Sequence, residues 1–332
     1  MAPESRATGA GSRDAARLAE AGLDGILVLA KPPGPTSHDI VALVRRLTAT
    51  RRVGHGGTLD PFAGGVLPIF VGRATRVVEY HLGDRKGYRA TICFGASSST
   101  DDLEGTQEPV STPAPDRSSV EGALRTFVGT IEQRPPDYSA IKVAGRRAYA
   151  MARAGERPEL RPRTVTIDGL DLVDWDESIP DRPVAVVDVA CSAGTYVRAL
   201  ARDLGVAVGN AAYLGALSRT WSGPFRIEEA HSVEALREAA GIGPAALRRL
   251  MLPIEFGLER FPRVLLDESE VEAVARGQFI RPDRSVEVRE GSDAHLRLVD
   301  PKGRLVAIAA WREGRIAPEK VLVDLPPRPV HA

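Results

Sequence analysis

The stretch Gly54-His55-Gly56-Gly57-Thr58-Leu59-Asp60-Pro61-Phe62-Ala63-Gly64-Gly65 is the most unusual passage of the chain. Its glycines permit positive φ angles and close backbone approach, so the loop can fold tightly around one side chain. Glycine-rich loops often cradle phosphate, but neither G-x-x-x-x-G-K-[ST] nor G-x-G-x-x-G follows a strand here. A serine-hydrolase elbow, G-x-S-x-G, is absent as well. What stays is Asp60 in a glycine-lined loop, with His55 a short way upstream. Taken alone, Asp-Pro usually marks a structural turn, and a single loop histidine is as readily incidental as functional.

Working outward, the apolar run 25–30 reads as a strand that enters the loop Lys31-Pro32-Pro33-Gly34-Pro35. Ser37 is placed to N-cap a helix over about 38–48, where Ile40, Leu43, Val44 and Leu47 recur at helical spacing. Arg45, Arg46, Arg51 and Arg52 at its end suit the helix dipole. Apolar 66–71 precedes a short basic helix over about 73–82, and 88–94 alternates as a strand. Residues 97–119 are polar, acidic and proline-containing, hence a surface loop, and 120–127 reads as a helix. A basic helix and loop fill 146–163; 184–191 is a buried strand that Gly194 turns into a helix over about 196–204.

After Pro253 the texture changes. A short helix over 267–276 precedes a hairpin, 295–299 and 304–311, around Asp300-Pro301-Lys302-Gly303, with a last strand near 321–325. Strands and helices do not alternate regularly, so the fold class expected is α+β. The expected organisation is an N-terminal extension at 1–24, a catalytic domain at 25–257, a small β-rich domain at 258–326 and a tail at 327–332.

Composition sets outer limits. The 332 residues are 43% hydrophobic and 27% charged, with 44 basic and 44 acidic side chains, a balance unlike that of a generic nucleic-acid binder. The charge is nonetheless segregated. Lys142, Arg146, Arg147, Arg153, Arg157, Arg161 and Arg163 crowd one stretch against Glu156 and Glu159, and such a stretch either grips a phosphate backbone or is a solvated loop. Cys93 and Cys191 sit in apolar runs without metal-ligand spacing. No run is long enough to span a membrane, and residues 1–24 lack the apolar core of a secretory leader. A cytoplasmic monomer with no metal and no cofactor is the expectation.

Five passages together carry a family resemblance. They are Lys31-Pro32-Pro33-Gly34, the loop 54–61 continued by Gly64-Gly65-Val66-Leu67-Pro68, Lys86-Gly87-Tyr88, Tyr138-Ser139-Ala140-Ile141-Lys142 and Gly194-Thr195-Tyr196-Val197-Arg198. Tyr213-Leu214, Leu217-Ser218-Arg219 and Gly223-Pro224-Phe225 follow in order. In this order they resemble the TruB family of pseudouridine synthases over about residues 25–255, and the tail weakly resembles a PUA-type RNA-binding domain.

The resemblance implies a pseudouridine synthase fold, a central mixed and mainly antiparallel sheet flanked by helices and loops. It implies an isomerase acting on the T-loop uridine of tRNA without a cofactor or an obligatory protein partner. Asp60 takes the nucleophile position, Arg198 the position of the cation that pairs with it, and Tyr88 that of the aromatic stacked on the flipped base. His55, Tyr196 and Leu214 match substrate-pocket positions. Lys31, Lys142, Arg146, Arg147 and Arg153 are the expected backbone-gripping cations. Ala30, Gly56 and Gly87 depart from the family's usual residues, which bears on loop rigidity. Three rival readings stand beside this one: a guide-RNA-dependent synthase subunit, an RNA-binding protein without turnover, and an N-glycosidase.

Overall fold

A computed structural model describes residues 22–324, apart from 140, 144, 157–158, 282–294 and 313. Of the N-terminal extension only residues 22–24 are described, with Leu23 buried and Asp24 paired with Arg73, and the tail lies outside the described residues. Strand β1 (Gly25–Lys31) is apolar on both faces and pairs antiparallel with β3 (Gly64–Val71), which is buried along its whole length. Two buried faces need cover on both sides, and helix α1 (Ser37–Thr48) supplies part of it with Ile40, Val41, Leu43 and Val44. Its N-cap is Thr36, one residue before the Ser37 expected, closed by a capping box with Asp39. Ser37 is free for another task, described below.

The main sheet runs on through β4 (Lys86–Phe94), β7 (Gly129–Gln133), β10 (Arg163–Asp176), β11 (Val184–Cys191), β12 (Ala212–Ser222) and β14 (Met251–Leu252). Its order is β14-β1-β3-β12-β4-β11-β10-β7. Strand β2 (Val53–His55) pairs with β3, and β13 (Phe225–Arg226) with β12. Every pairing is antiparallel except β12 with β3, joined at Ser218–Gly64 and Arg219–Gly65. That parallel contact sits where Gly65 has φ 103°, and a Cβ there would strike the Arg219 backbone. The glycine is required by this close approach.

The basic helix expected at 73–82 is a 3-10 turn, Gly72–Val77, followed by the one-turn helix α2 (Glu79–Leu82). Within the stretch read as a plain loop, 97–119, a hairpin forms from β5 (Ala96–Ser98) and β6 (Gln107–Pro109). Helix α3 (Arg117–Thr126) is capped by Asp116. The basic stretch folds as the hairpin β8 (Lys142–Val143) and β9 (Arg146–Arg147), followed by α4 (Ala148–Arg153). Helix α5 (Val197–Ala207) starts at Tyr196 and packs on β12.

Helices α6 (Val233–Ile242) and α7 (Pro244–Arg249) lead to β14. A second sheet, β15-β16-β17-β18, contains β15 (Arg263–Leu265), β16 (His295–Val299), β17 (Leu305–Arg312) and β18 (Arg315–Val321). The last strand lies earlier than the 321–325 expected, because the turn after Arg312 reverses the chain at once into a β17–β18 hairpin. Helix α8 (Glu268–Ala275) packs on this sheet under a capping box of Asp267 and Glu270. Leu258, Val299, Leu305, Ile308 and Leu322 share one buried cluster with Ile26, Val28, Val66 and Phe70. The C-terminal β-rich unit is thus bonded to the larger one by a common apolar core. None of the described helices is long and apolar enough to cross a membrane.

Candidate active site

The glycine-rich loop is held from three sides. Ser37 Oγ accepts from the Leu59 amide at 2.8 Å and donates to the Leu59 carbonyl at 3.0 Å. The Gly56 amide donates to the Pro68 carbonyl, and the Gly34 amide to the Pro61 carbonyl, at 2.9 and 2.8 Å. Lys31 is 1% exposed and its Nζ donates to the carbonyls of Pro32, Pro35 and Pro61. Burial pushes the Lys31 ammonium down to about 8, with Asp60 and Asp39 opposing the shift. The expectation that Lys31 grips an RNA phosphate is corrected here. An ammonium saturated by three carbonyls inside the protein joins the 31–35 turn to the Asp60 loop instead.

Asp60 so placed meets Arg198 from α5. Arg198 Nε lies 3.1 Å from Asp60 Oδ2, and its Nη1 lies 3.1 Å from Asp102 Oδ2. The same guanidinium donates to the carbonyls of Thr100 at 3.2 Å and Tyr138 at 2.8 Å. Asp102 is 4% exposed at its side chain. Its other oxygen accepts from Thr100 Oγ1 at 2.5 Å and from the Glu104 amide at 3.0 Å. The arginine is therefore fixed by a buried carboxylate, while Asp60 keeps 38% of its side chain accessible. Burial raises the Asp60 carboxyl above the usual carboxylate range; Arg198 opposes this, and the charge of Asp102 adds to it. Cation and burial pull in opposite directions, and burial prevails.

Beside this pair opens a cavity of about 470 Å³ lined by Asp60, Lys86, Tyr88, Tyr138, Tyr149, Tyr196, Arg198, Leu217 and Arg219. Tyr88 lies on the central strand β4, opposite Val189 and Arg219 in the pairing. Burial pushes its phenol up, and the Arg219 guanidinium opposite it on β12 pulls it down. Tyr196 is held through its backbone: its amide donates to Gln133 Oε1 at 2.8 Å, and its carbonyl accepts from Gln133 Nε2 at 3.1 Å. A fully buried glutamine with both ends engaged is a rigid mount for a pocket aromatic.

Two expected pocket positions fall elsewhere. Leu214 is fully buried in the main core and does not line the cavity; Leu217 does. Gly215 is an extra residue in β12, so Leu214 and Leu217 share a face, opposite Ile92 and Ala90 respectively. Leu214 thus sits about 7 Å farther along the strand. His55 does not line the cavity either. Its Nδ1 accepts from the Gly57 amide at 3.3 Å, and burial lowers its imidazole pKa. A neutral ring bracing the loop turn fits this geometry better than an acid or base. Arg146 is engaged by Glu156 through two bonds, 2.8 and 3.0 Å. The side chains of Lys142, Arg147 and Arg153 lie outside the described residues.

Asp102, Gln133 and Arg219 escaped sequence reading as site residues. Asp102 sits in the polar segment read as a surface loop, and nothing in its neighbours marks it for burial. Gly87 departs from the family pattern for a visible reason: a Cβ there would overlap the indole of Trp221. Among the described residues no group of His, Cys, Asp and Glu is arranged to hold a metal ion.

Comparison with known proteins identifies the family. Residues 45–197 match the model of the TruB family pseudouridylate synthase N-terminal domain, and 198–259 that of the tRNA pseudouridylate synthase B C-terminal domain. The chain is 42% identical to tRNA pseudouridine synthase B of Thermobifida fusca, covering 89% of this chain and 97% of that protein. It is 41% identical to the protein of the same name from Bradyrhizobium diazoefficiens, covering 90% and 85%. Among solved structures it resembles a chain of a Cbf5-Nop10-Gar1 complex, with a TM-score of 0.71 and 26% identity, covering 92% and 87%. The chain belongs to the TruB family of pseudouridine synthases and is an isomerase of that family.

Proposed function

We propose that this enzyme converts the T-loop uridine of tRNA to pseudouridine, with Asp60 as nucleophile on a flipped-out nucleotide. One observation carries the reading: Asp60, paired with Arg198, borders a cavity of nucleotide size that Tyr88 and Tyr196 also line. Pseudouridine formation breaks the N1–C1′ bond, turns the uracil and rejoins it through C5. An ionised carboxylate holds the substrate covalently during the turn. Two attachment points satisfy the electron count, C1′ of the sugar and C6 of the uracil. Tyr88 offers an aromatic face to the extruded base, and Tyr196 a second. No electrons are gained or lost, so the reaction as written needs no redox cofactor.

The tRNA assignment follows from the relatives' names and the lengths over which they match. In this reading residues 258–326 are an RNA-binding domain of PUA type and the basic stretch at 142–163 contacts the T-arm. The enzyme works in the cytoplasm as a monomer without a guide. The Cbf5 resemblance gives the guide-dependent alternative its specific basis. One assay separates them: tritium release from a tRNA transcript labelled at uridine C5, with purified protein alone. Release that disappears when the T-loop uridine is replaced, and in the Asp60→Asn variant with RNA binding retained, is the expected result. Normal turnover by Asp60→Asn would falsify the nucleophile assignment, and release only with added RNA or protein would favour the guide-dependent subunit.

A further inference from the structure

Lys86 opens β4 and belongs to the cavity wall, yet the reaction as written gives it no task. It is 7% exposed. Its Nζ donates to the Leu82 and Asp84 carbonyls at 3.1 and 2.6 Å. An ammonium has three N–H donors, and among the described residues the third has no acceptor. No carboxylate pairs with it there either; that of Asp84 is engaged by His81 and Arg260, each at 3.2 Å. Burial and the charge of Arg219 push the Lys86 ammonium down, with Asp84 and Cys191 opposing. A buried cation with an open donor is costly to keep, and the cavity is where a partner can arrive. Its place relative to the base follows from the strand. Residues two apart on β4 share a face, so Lys86 and Tyr88 both border the cavity, about 7 Å apart along the chain. The Asp60 loop closes on the same spot: a Cβ built on Gly57 would stand 3.6 Å from both Lys86 Cε and Arg219 Nη1.

We propose that Lys86 is a specificity-determining residue, its free N–H donating to a carbonyl oxygen of the uracil both before and after the base turns. The proposal rests on the site reading given above. A uracil stacked on the Tyr88 ring presents one edge to Lys86. Turning it about its N3–C6 axis exchanges N1 with C5 and, in the same motion, the C2 carbonyl with the C4 carbonyl. A donor fixed to the protein therefore meets a carbonyl in either orientation and holds the base without moving. Cytosine lacks this symmetry. One of its two orientations sets the N4 amino group, itself a donor, against the ammonium. A base that must turn is accepted only when both edges carry acceptors. N1 keeps the bonding pair when N1–C1′ breaks, and the ring carbonyls share its charge, which the ammonium also stabilises.

Exchanging single substrate atoms tests this. Single-turnover conversion is followed by nucleoside chromatography for tRNAs carrying uridine, 2-thiouridine or 4-thiouridine at the T-loop position, since sulfur is a poor acceptor. The parent, Lys86→Met and Lys86→Arg are compared, with RNA binding and thermal unfolding measured alongside. Lys86→Met is expected to slow uridine conversion by about tenfold or more, the loss of one hydrogen bond to a charged group. Each thio substitution should slow the parent by about tenfold, yet Lys86→Met by less than about threefold. Lys86→Arg, which keeps the charge and donors, should recover part of the loss and of the thio effect. Equal thio effects in the parent and Lys86→Met, or thio targets converted by the parent as fast as uridine, would overturn the proposal. The second outcome needs no variant, so the test holds even if Lys86→Met does not fold. An Asp60→Asn variant run alongside separates the failures: turnover there removes the site reading, whereas its inactivity with thio effects independent of Lys86 removes the uracil contact alone.

Discussion

Arg198 and Arg219 line one cavity and are both buried, yet their charges are balanced in opposite ways. Arg198 lies between two carboxylates, Asp60 and Asp102, so its wall of the cavity is neutral to negative before substrate arrives. Among the described residues Arg219 and Lys86 are hydrogen-bonded by backbone carbonyls and by no carboxylate, so their wall is the more positive one. The first arrangement aims Asp60 and sets the Arg198 charge against the burial that disfavours its ionised form. The second presents positive charge to the cavity from the opposite side. One fold delivers both because β12 runs antiparallel to β4 and parallel to β3, putting Arg219 between Tyr88 and the Asp60 loop.

The sharpest way to break the contrast is at Asp102. Asp102→Asn keeps the shape but leaves Arg198 with Asp60 as its only carboxylate among the described residues. The guanidinium then loses a charge-assisted bond worth about 1.5–3 kcal/mol, and turnover is expected to fall about tenfold or more, with RNA affinity little changed. Single-turnover rates and filter binding check it. Unchanged turnover would mean that the carbonyls of Thr100 and Tyr138 suffice to hold Arg198, and that the two walls are more alike than the charges indicate.

A stability measurement examines the same wall from another side. Because the Asp60 carboxyl lies above its ordinary range in the folded protein, the folded state retains that proton where the unfolded chain has lost it. Stability from this group is full below the unfolded pKa and is lost as pH rises through the folded one. Asp60→Asn removes that loss. The variant should therefore be at least as stable as the parent at neutral pH, with the advantage shrinking toward acid pH. Thermal unfolding at both pH values decides; a variant less stable at neutral pH would show that the Arg198 pair outweighs desolvation.

Lys31 sharpens the comparison on the loop side. If its ammonium gripped RNA phosphate, Lys31→Met would lower the slope of log affinity against log salt by about one. Buried against three carbonyls, it should instead leave that slope unchanged and slow turnover by loosening Pro61 next to Asp60. A reduced slope would restore the role expected from the sequence.

What could be read beforehand followed from local pattern. The face of α1 was visible in Ile40, Val44 and Leu47, and the closed loop around Asp60 in its glycines. Arg198 and Tyr88 gained roles only through resemblance, since neither has a local mark. Asp102 was illegible for a physical reason: its burial depends on Arg198, 96 residues away along the chain, while its neighbours are polar. Leu217 lines the cavity where the resemblance points to Leu214, and the extra Gly215 that puts both on one face of β12 has no mark in the sequence. The long strands β10 and β12, each interrupted by irregular register, lacked the clean alternation that made β4 and β11 readable.

The smallest effect concerns the backbone of the positive wall. Gly87 lies between Lys86 and Tyr88, pairs with Trp221, and has no room for a Cβ beside the indole, over which the Arg226 guanidinium stacks at 5.3 Å. Gly87→Ala must push Trp221 aside, and overpacking of this kind costs about 1–3 kcal/mol. Trimming the indole in Gly87→Ala/Trp221→Leu should regain most of that stability, because space and not glycine's backbone freedom is at issue; Gly87 has no positive φ. Thermal unfolding of the three variants measures it. Turnover at a temperature where all are folded should change little, since Gly87 itself does not line the cavity. A large loss of turnover in Gly87→Ala, unrelieved by the second substitution, would place control of that wall in the backbone of β4 itself.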